Sequence, residues 1–161
     1  MTLGDRVEGL GVRSRVLVSA GLILVPLLCP ISSASASDAS LRASVQTWSK
    51  AIAADARAVS SNASRRHPRL MTASAVRFVT DASRARASIS RQFASTAKGR
   101  RAKGLALAAF TDYTAAGRFW AASGGARTRG QKALATALAR RAALFAGNGN
   151  RYLLAAGKAL G

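Results

Sequence analysis

Acid–base, nucleophilic and metal chemistry each need particular side chains close together, and this chain holds few of them. His67 is the one histidine and Cys29 the one cysteine. Beyond Glu8 there is no glutamate, and the remaining acids after it are Asp38, Asp55, Asp81 and Asp112. Hydrolytic catalysis calls for a nucleophile, a base and a group that orients them. His67 stands in SRRHPRL beside three arginines and a proline, which reads as a loop or capping residue. One histidine with scattered aspartates does not make a zinc or calcium spacing. The phosphate-cradling glycine patterns are missing, and GNGN at 147–150 reads as a turn. A carboxylate pair would require two of Asp55, Asp81 and Asp112 to converge in space. The simpler expectation for Asp81 is a helix-surface pair with Arg84, three residues on, worth about 0.2–0.5 kcal/mol. Haem ligation through His67, Tyr113 or Tyr152 is conceivable, but no motif points to it. The expectation is no catalytic residue, no metal and no cofactor.

Basic side chains are plentiful instead. Arg77, Arg84, Arg91 and Lys98 recur every seven residues, and Arg100 and Arg101 follow. An apolar series, Phe78, Ala82, Ala85, Ile89 and Phe93, runs beside them. Core positions at 75, 78, 82, 85 and 89 put the basic row on the solvent side of one helix. Four such residues would cover roughly 30 Å at the helical rise. An ordinary solvated face mixes Glu with Lys and gains pairs one turn apart. This one has only Asp81 for that purpose, so its charge is one-sided and suits phosphate-type anions.

The whole chain carries 25 Lys+Arg against 6 Asp+Glu, a net charge of +19 over 161 residues. Arginine outnumbers lysine 20 to 5, which also fits a GC-rich bacterial genome. The first 36 residues read as a secretory signal. MTLGDRVEGLGVRSR supplies a basic start, Val16 to Ile31 an apolar run, and Ala34-Ser35-Ala36 the small residues of a cleavage site. The run is short for a membrane span of about 20 residues and contains Pro26. Leu28 before Cys29 argues against a lipoprotein anchor, and no Arg-Arg pair argues for the twin-arginine route. Cleavage after Ala36 would remove the only thiol and leave 22 basic residues against four acids, a net charge of +18. Disulfides would then be impossible in a compartment that permits them.

Four amphipathic segments follow. Leu41, Val45, Trp48, Ile52, Ala56 and Val59 face one way over 38–60, with Ser37 or Asp38 as a cap. Pro68 opens a second helix, carried to Lys98 and ended by Gly99. Leu105, Leu107, Phe110, Tyr113, Phe119 and Trp120 give a third its bulk over 101–123, stopped at Gly124-Gly125. Thr128 with Gln131 forms a capping box for a fourth, with Leu134, Leu138, Ala142 and Phe145 inward. GNGN interrupts it, and a short piece from Arg151 to Leu160 completes the chain.

These segments imply an all-α, up-down bundle of about four helices at 37–161, with small seam residues (Ala75, Ala82, Ala85, Gly117) drawing helices close. The function class that fits is an exported, non-enzymatic protein meeting anionic envelope or extracellular polymers, or a membrane surface, electrostatically. The expected contact row is Arg77, Arg84, Arg91, Lys98, Arg100 and Arg101. No pattern for reading bases is present. A second class is a carrier of a small apolar or haem-type ligand, with a pocket between helices at Phe110, Tyr113 and Trp120. A third, should residues 1–36 not direct export, is a nucleoid-type DNA binder.

Overall fold

A computed structural model describes residues 31–161, with side chains from residue 36 onward. The expected export signal lies outside the described residues up to position 30, and 31–36 form the first turns of a helix. Four helices make up the described chain: α1 (Ile31–Ser64), α2 (Pro68–Arg91), α3 (Ala97–Thr128) and α4 (Lys132–Leu160). They alternate in direction and pack against one another as an all-α bundle. α3 is the central element, with α2 and α4 against it; α1 leans mainly on α2 and only lightly on α3 and α4.

The inward faces of α1 and α2 follow the sequence periodicity. Leu41, Val45, Ile52 and Val59 are buried on α1, and Met71, Ala75, Phe78, Ala82, Ala85 and Ile89 on α2. Pro68 sits at the start of α2, where its missing N–H has no partner to lose. Where α1, α2 and α3 meet, Phe78 lies edge-on to Tyr113 (centroids 5.9 Å, 87°) and to Trp120 (5.3 Å, 79°). Adjacent Phe119 and Trp120 straddle α3. Phe119 turns the other way and stacks on Phe145 of α4 at 5.5 Å.

Several expected boundaries move. α2 ends at Arg91, so Phe93 is not a core residue but is 74% exposed in the link. Gly99 does not end α2; it is buried in the first turn of α3, where an added Cβ would strike the Asp38 carboxylate. Gly124 and Gly125 do not stop α3, which continues to Thr128. Gly124 stands where α3 crosses the start of α2, and a Cβ there would come within 2.9 Å of Pro68 O. The Thr128–Gln131 capping box does not form: Thr128 is the last residue of α3, and Gln131 precedes α4 without a side-chain cap bond. Leu134 is 47% exposed, because the buried line of α4 is Ala135, Ala142, Gly149 and Ala156.

That line has a seven-residue spacing, and it explains why GNGN is helical rather than a turn. A Cβ on Gly149 would meet Tyr113 Cε1 at 2.8 Å and Ala109 O at 3.1 Å, so glycine lets α4 pass over α3. Gly147 meets nothing within 4 Å. The two glycines, two residues apart, should respond oppositely to alanine. Gly147→Ala is expected to raise stability by about 0.5–1 kcal/mol through helix propensity. Gly149→Ala is expected to lower it by about 1–3 kcal/mol through overpacking. Denaturant unfolding of the two variants measures both signs.

Candidate anion-binding surfaces

The expected basic row is divided between two helices. Arg77, Arg84 and Arg91 lie exposed along α2, over about 21 Å at the helical rise. Lys98, Arg100 and Arg101 are exposed on the first turns of α3. Lys98 is therefore not the next step of the α2 row, and the continuous 30 Å helix face is corrected to a shorter row plus a cluster. The break is made by polar groups. Gln92 turns extended, and Lys103 Nζ donates to Ser90 O at 2.8 Å and to Gln92 O at 2.6 Å, a cation on the carbonyl end of α2. Thr96 caps α3 by accepting from Gly99 N at 2.9 Å. Arg100 Nη1 donates to Ser95 O at 2.6 Å.

Ser37 and Asp38 were expected to cap α1, but they lie inside it and reach across to this link. Ser37 Oγ donates to Phe93 O at 3.3 Å, and Asp38 Oδ1 accepts from Ser95 N at 3.2 Å. Asp38 Oδ2 accepts from the Thr96 hydroxyl. The Thr96 hydroxyl, with the Ser95 and Thr96 amides, holds the Asp38 carboxyl below the usual carboxylate range against a smaller opposing desolvation.

At the opposite end of the bundle the α1–α2 and α3–α4 links come together, and both close alike. His67 N donates to Asn62 O at 3.0 Å and Arg66 N to Ala63 O at 3.2 Å. Gln131 N donates to Ala126 O at 2.9 Å and Gly130 N to Arg127 O at 3.0 Å. Each is a helix termination built around one left-handed residue. That residue is Gly130 (φ 75°) in one link and Arg66 (φ 57°) in the other. A side-chain-bearing residue there costs roughly 1–2 kcal/mol. His67 occupies the position before α2 but makes no side-chain cap bond, so the expected capping role is met in place only. Between the links lies a cavity of about 360 Å³ lined by Asn62, Arg66, His67, Arg127, Lys132 and Thr136, among others. Arg65–Arg69 and Arg127–Lys132 stand far apart in the sequence, and the up-down topology joins them.

Phe110, Tyr113 and Trp120 do come together, but as packing. Phe110 is fully buried and Tyr113 is 4% exposed, both within the main core. Burial pushes the Tyr113 phenol up to about 12, and its hydroxyl donates to Asn150 Oδ1 at 2.6 Å. These three pack in or against the core, and the cavities described are lined by other residues. The largest is a groove of about 1010 Å³ along the loose α1–α4 seam, lined by Val45, Ser49, Lys50, Leu153, Leu154 and Lys158 among others. His67, Tyr113 and Tyr152, each a single candidate haem ligand, lie in three separate places. Tyr113 packs on Phe78, eleven residues and about 16 Å along from His67. Tyr152 is exposed on α4. A third opening, between α2 and α3, holds Arg86 and Arg118 with Ser83, Thr111 and Thr114.

Two of the acids converge after all. Asp81 pairs with Arg84 at 3.6 Å as expected, yet its carboxyl also faces Asp55 of α1. Asp55 receives Arg77 Nε at 3.3 Å, while its Oδ2 is buried without a donor. Two carboxyls can hydrogen-bond only when one holds a proton. Burial first, and then Asp81, raise the Asp55 pKa above the usual carboxylate value, and Arg77 opposes them only weakly. A raised pKa favours the protonated form when folded. Its stability contribution is complete below 3.8 and fades as pH rises through the folded value. Asp38, shifted the other way, loses its contribution only on acidification below 3.8. Asp55→Asn supplies Asp81 with a permanent donor and keeps an acceptor for Arg77, so at neutral pH it is expected to stabilise by about 1 kcal/mol. Denaturant unfolding at about pH 7 and about pH 5 should show the parent gaining relative to the variant on acidification. Parallel behaviour of the two would mean that no proton is shared.

No group of three or more metal-ligating side chains is present among the described residues, and no described helix is long and apolar enough to cross a membrane. Comparison of this chain with protein families, with curated proteins and with solved structures gives no match.

Proposed function

We propose that this is an exported, non-enzymatic helical bundle that associates electrostatically with anionic envelope surfaces or polymers outside the membrane. The observation that carries the reading is the lack of internal neutralisation. Among the described residues only Arg77 and Arg84 have an aspartate within ion-pair distance. The other cations except the half-buried Lys103, including Arg91, Lys98, Arg100 and Arg101, are exposed without one. Self-repulsion at this charge weakens a compact state, and a bound polyanion relieves it. Each cation brought to an anionic surface contributes about 1 kcal/mol, in a manner that salt screens.

The test is co-sedimentation with phosphatidylglycerol vesicles across a salt series. Replacing Arg77, Arg84, Arg91, Lys98, Arg100 and Arg101 with Gln should weaken binding at least tenfold and flatten its salt dependence. A variant with only Arg91, Lys98, Arg100 and Arg101 replaced keeps both ion pairs and should lose most of the same binding. Unchanged binding, or binding indifferent to salt, overturns the proposal.

The α1–α4 groove supports a second reading, a carrier for a single-chain anionic amphiphile. Val45, Leu153 and Leu154 offer an apolar bed, and Lys50 and Lys158 a cationic lip. At about 1010 Å³ it lies at the upper end of ordinary ligand sites. Native mass spectrometry with added palmitate should show a one-to-one adduct that Leu153→Asp abolishes. An adduct unchanged in that variant, or none at all, removes this reading.

A further inference from the structure

The cavity between the two hairpin links carries a separate inference. Its starting point is Arg66. The α3–α4 link shows that glycine makes this helix termination without strain, since Gly130 holds the matching position. Folding therefore has no need of arginine at 66, where its left-handed backbone is unfavourable. Such outliers gather where a side chain is held for a purpose other than stability. Arg66 lines the cavity, and Arg127 and Lys132 join it from the other hairpin. No carboxylate lies within ion-pair distance of these three cations among the described residues.

The backbone adds to the same field. The α2 and α4 helices both begin at this end, and neither His67 nor Gln131 makes a side-chain cap bond. Lys132 N already donates to Gly130 O at 2.9 Å and Pro68 has no N–H, so the remaining first-turn amides carry the partial positive charge. The carbonyl ends of α1 and α3 also lie here, but the paired link hydrogen bonds occupy part of them. Three basic residues thus line about 360 Å³, beside two helix amino ends without side-chain caps. That volume is near the lower limit for ligand sites and fits a small molecule or the end of a chain, not the length of a polymer. Asn62 is pinned by donating to Ser74 Oγ at 2.9 Å, and Thr136 by donating to Lys132 O at 3.0 Å, so both walls are ordered.

We propose that this cavity binds one dianionic phosphate group, as inorganic phosphate or as a phosphate monoester, with Arg66, Arg127 and Lys132 as its charged contacts. Three cations around one group favour the doubly charged monoester over a singly charged diester. The site is at the opposite end of the bundle from Lys98, Arg100 and Arg101 and does not depend on their reading as a surface contact.

Isothermal titration with inorganic phosphate, glycerol 3-phosphate and dimethyl phosphate tests it. The parent protein should bind the first two with one-to-one saturation and the diester at least tenfold more weakly. Tighter binding of glycerol 3-phosphate than of inorganic phosphate would identify an esterified ligand, and the reverse order the free ion. Arg66→Gly is the decisive variant. It should melt no lower than the parent, because it removes backbone strain, yet bind phosphate at least tenfold more weakly. Lys132→Gln should weaken binding in the same direction. The Arg91, Lys98, Arg100 and Arg101 quadruple variant should bind phosphate as the parent does, even if it has lost vesicle binding. Non-saturable binding, equal affinity for the diester, full phosphate affinity in Arg66→Gly, or a lower melting temperature for that variant each overturns the proposal.

Discussion

The middle of the α3–α4 seam is lined largely by alanine and glycine, with Phe119 stacked on Phe145 at its edge, so these helices either meet nearly backbone to backbone or leave their seam empty. They meet. Ser123 Oγ reaches Ala135 O at 2.7 Å across the seam, and the Gly149 position stands close to Ala109 O. The same closeness joins α2 to α3, where a Cβ on Gly117 would lie 2.6 Å from Val79 Cγ2 and 3.3 Å from Ala75 O. Alanine buries little area, but dense contact lets many weak attractions add. The bulky residues are then left for the place where α1, α2 and α3 converge around Phe78, Phe110 and Tyr113. A bulkier helix face cannot approach as closely, and α1 is the one that stands away from α4, opening the groove.

Because α1 packs less, polar contacts hold more of it. Asp38 and Ser37 fasten its beginning to the α2–α3 link, Ser40 Oγ donates to Gln92 Oε1 at 3.1 Å, and Arg42 Nη2 donates to Gly161 O at 3.2 Å. Asp55 meets Arg77 near the middle, and Asn62 meets Ser74 near the end. Three of the four aspartates among the described residues thus serve α1 or its seam with α2. A chain with so few acids has used them for attachment, which is why its outward cations go unneutralised. The buried Asp55 carboxylate is a poor device for stability alone. It does fix the register of α1 against α2, since only one turn presents Arg77 and Asp81 together.

The periodicity of large residues made α1, α2 and the all-α class legible. It failed where small residues carry the structure. Gly99, Gly124, Gly125, Gly147 and Gly149 read as stops because glycine usually punctuates a helix. Three of them, Gly99, Gly124 and Gly149, are places where another segment presses on the helix, which is a tertiary fact. The α2–α3 boundary left a local trace that glycine obscured: Thr96 lies three residues before Gly99, the spacing of an N-cap acceptor and its amide. For the surfaces, the solvent side of Arg77, Arg84 and Arg91 followed from register alone. The cross-helix meeting of Asp55 with Arg77 and Asp81 did not, since no local pattern sets the rotation of one helix against another. The hairpin-end cluster needed only topology, because alternating helices must return residues 65–69 and 127–132 to the same end.

The two ends of the bundle answer to different constraints. At the α2–α3 end the exposed helix termini are met by side chains: Thr96 takes the Gly99 amide that opens α3, Asp38 takes the Ser95 amide just before it, and Lys103 covers the carbonyls that close α2. At the other end, two helices open without caps and an arginine stands where its counterpart link has glycine. A sequence shaped for folding alone would place a Ser or Asp at 67 and 131 and a glycine at 66. Local choices that disagree with the fold tend to mark functional or strained sites. Here three disagreements share one end, and each leaves positive charge there: the Arg66 side chain and two helix amino ends without side-chain caps. That coincidence separates this end from the evenly basic surface around it, where an exposed arginine costs the fold little and by itself indicates no site.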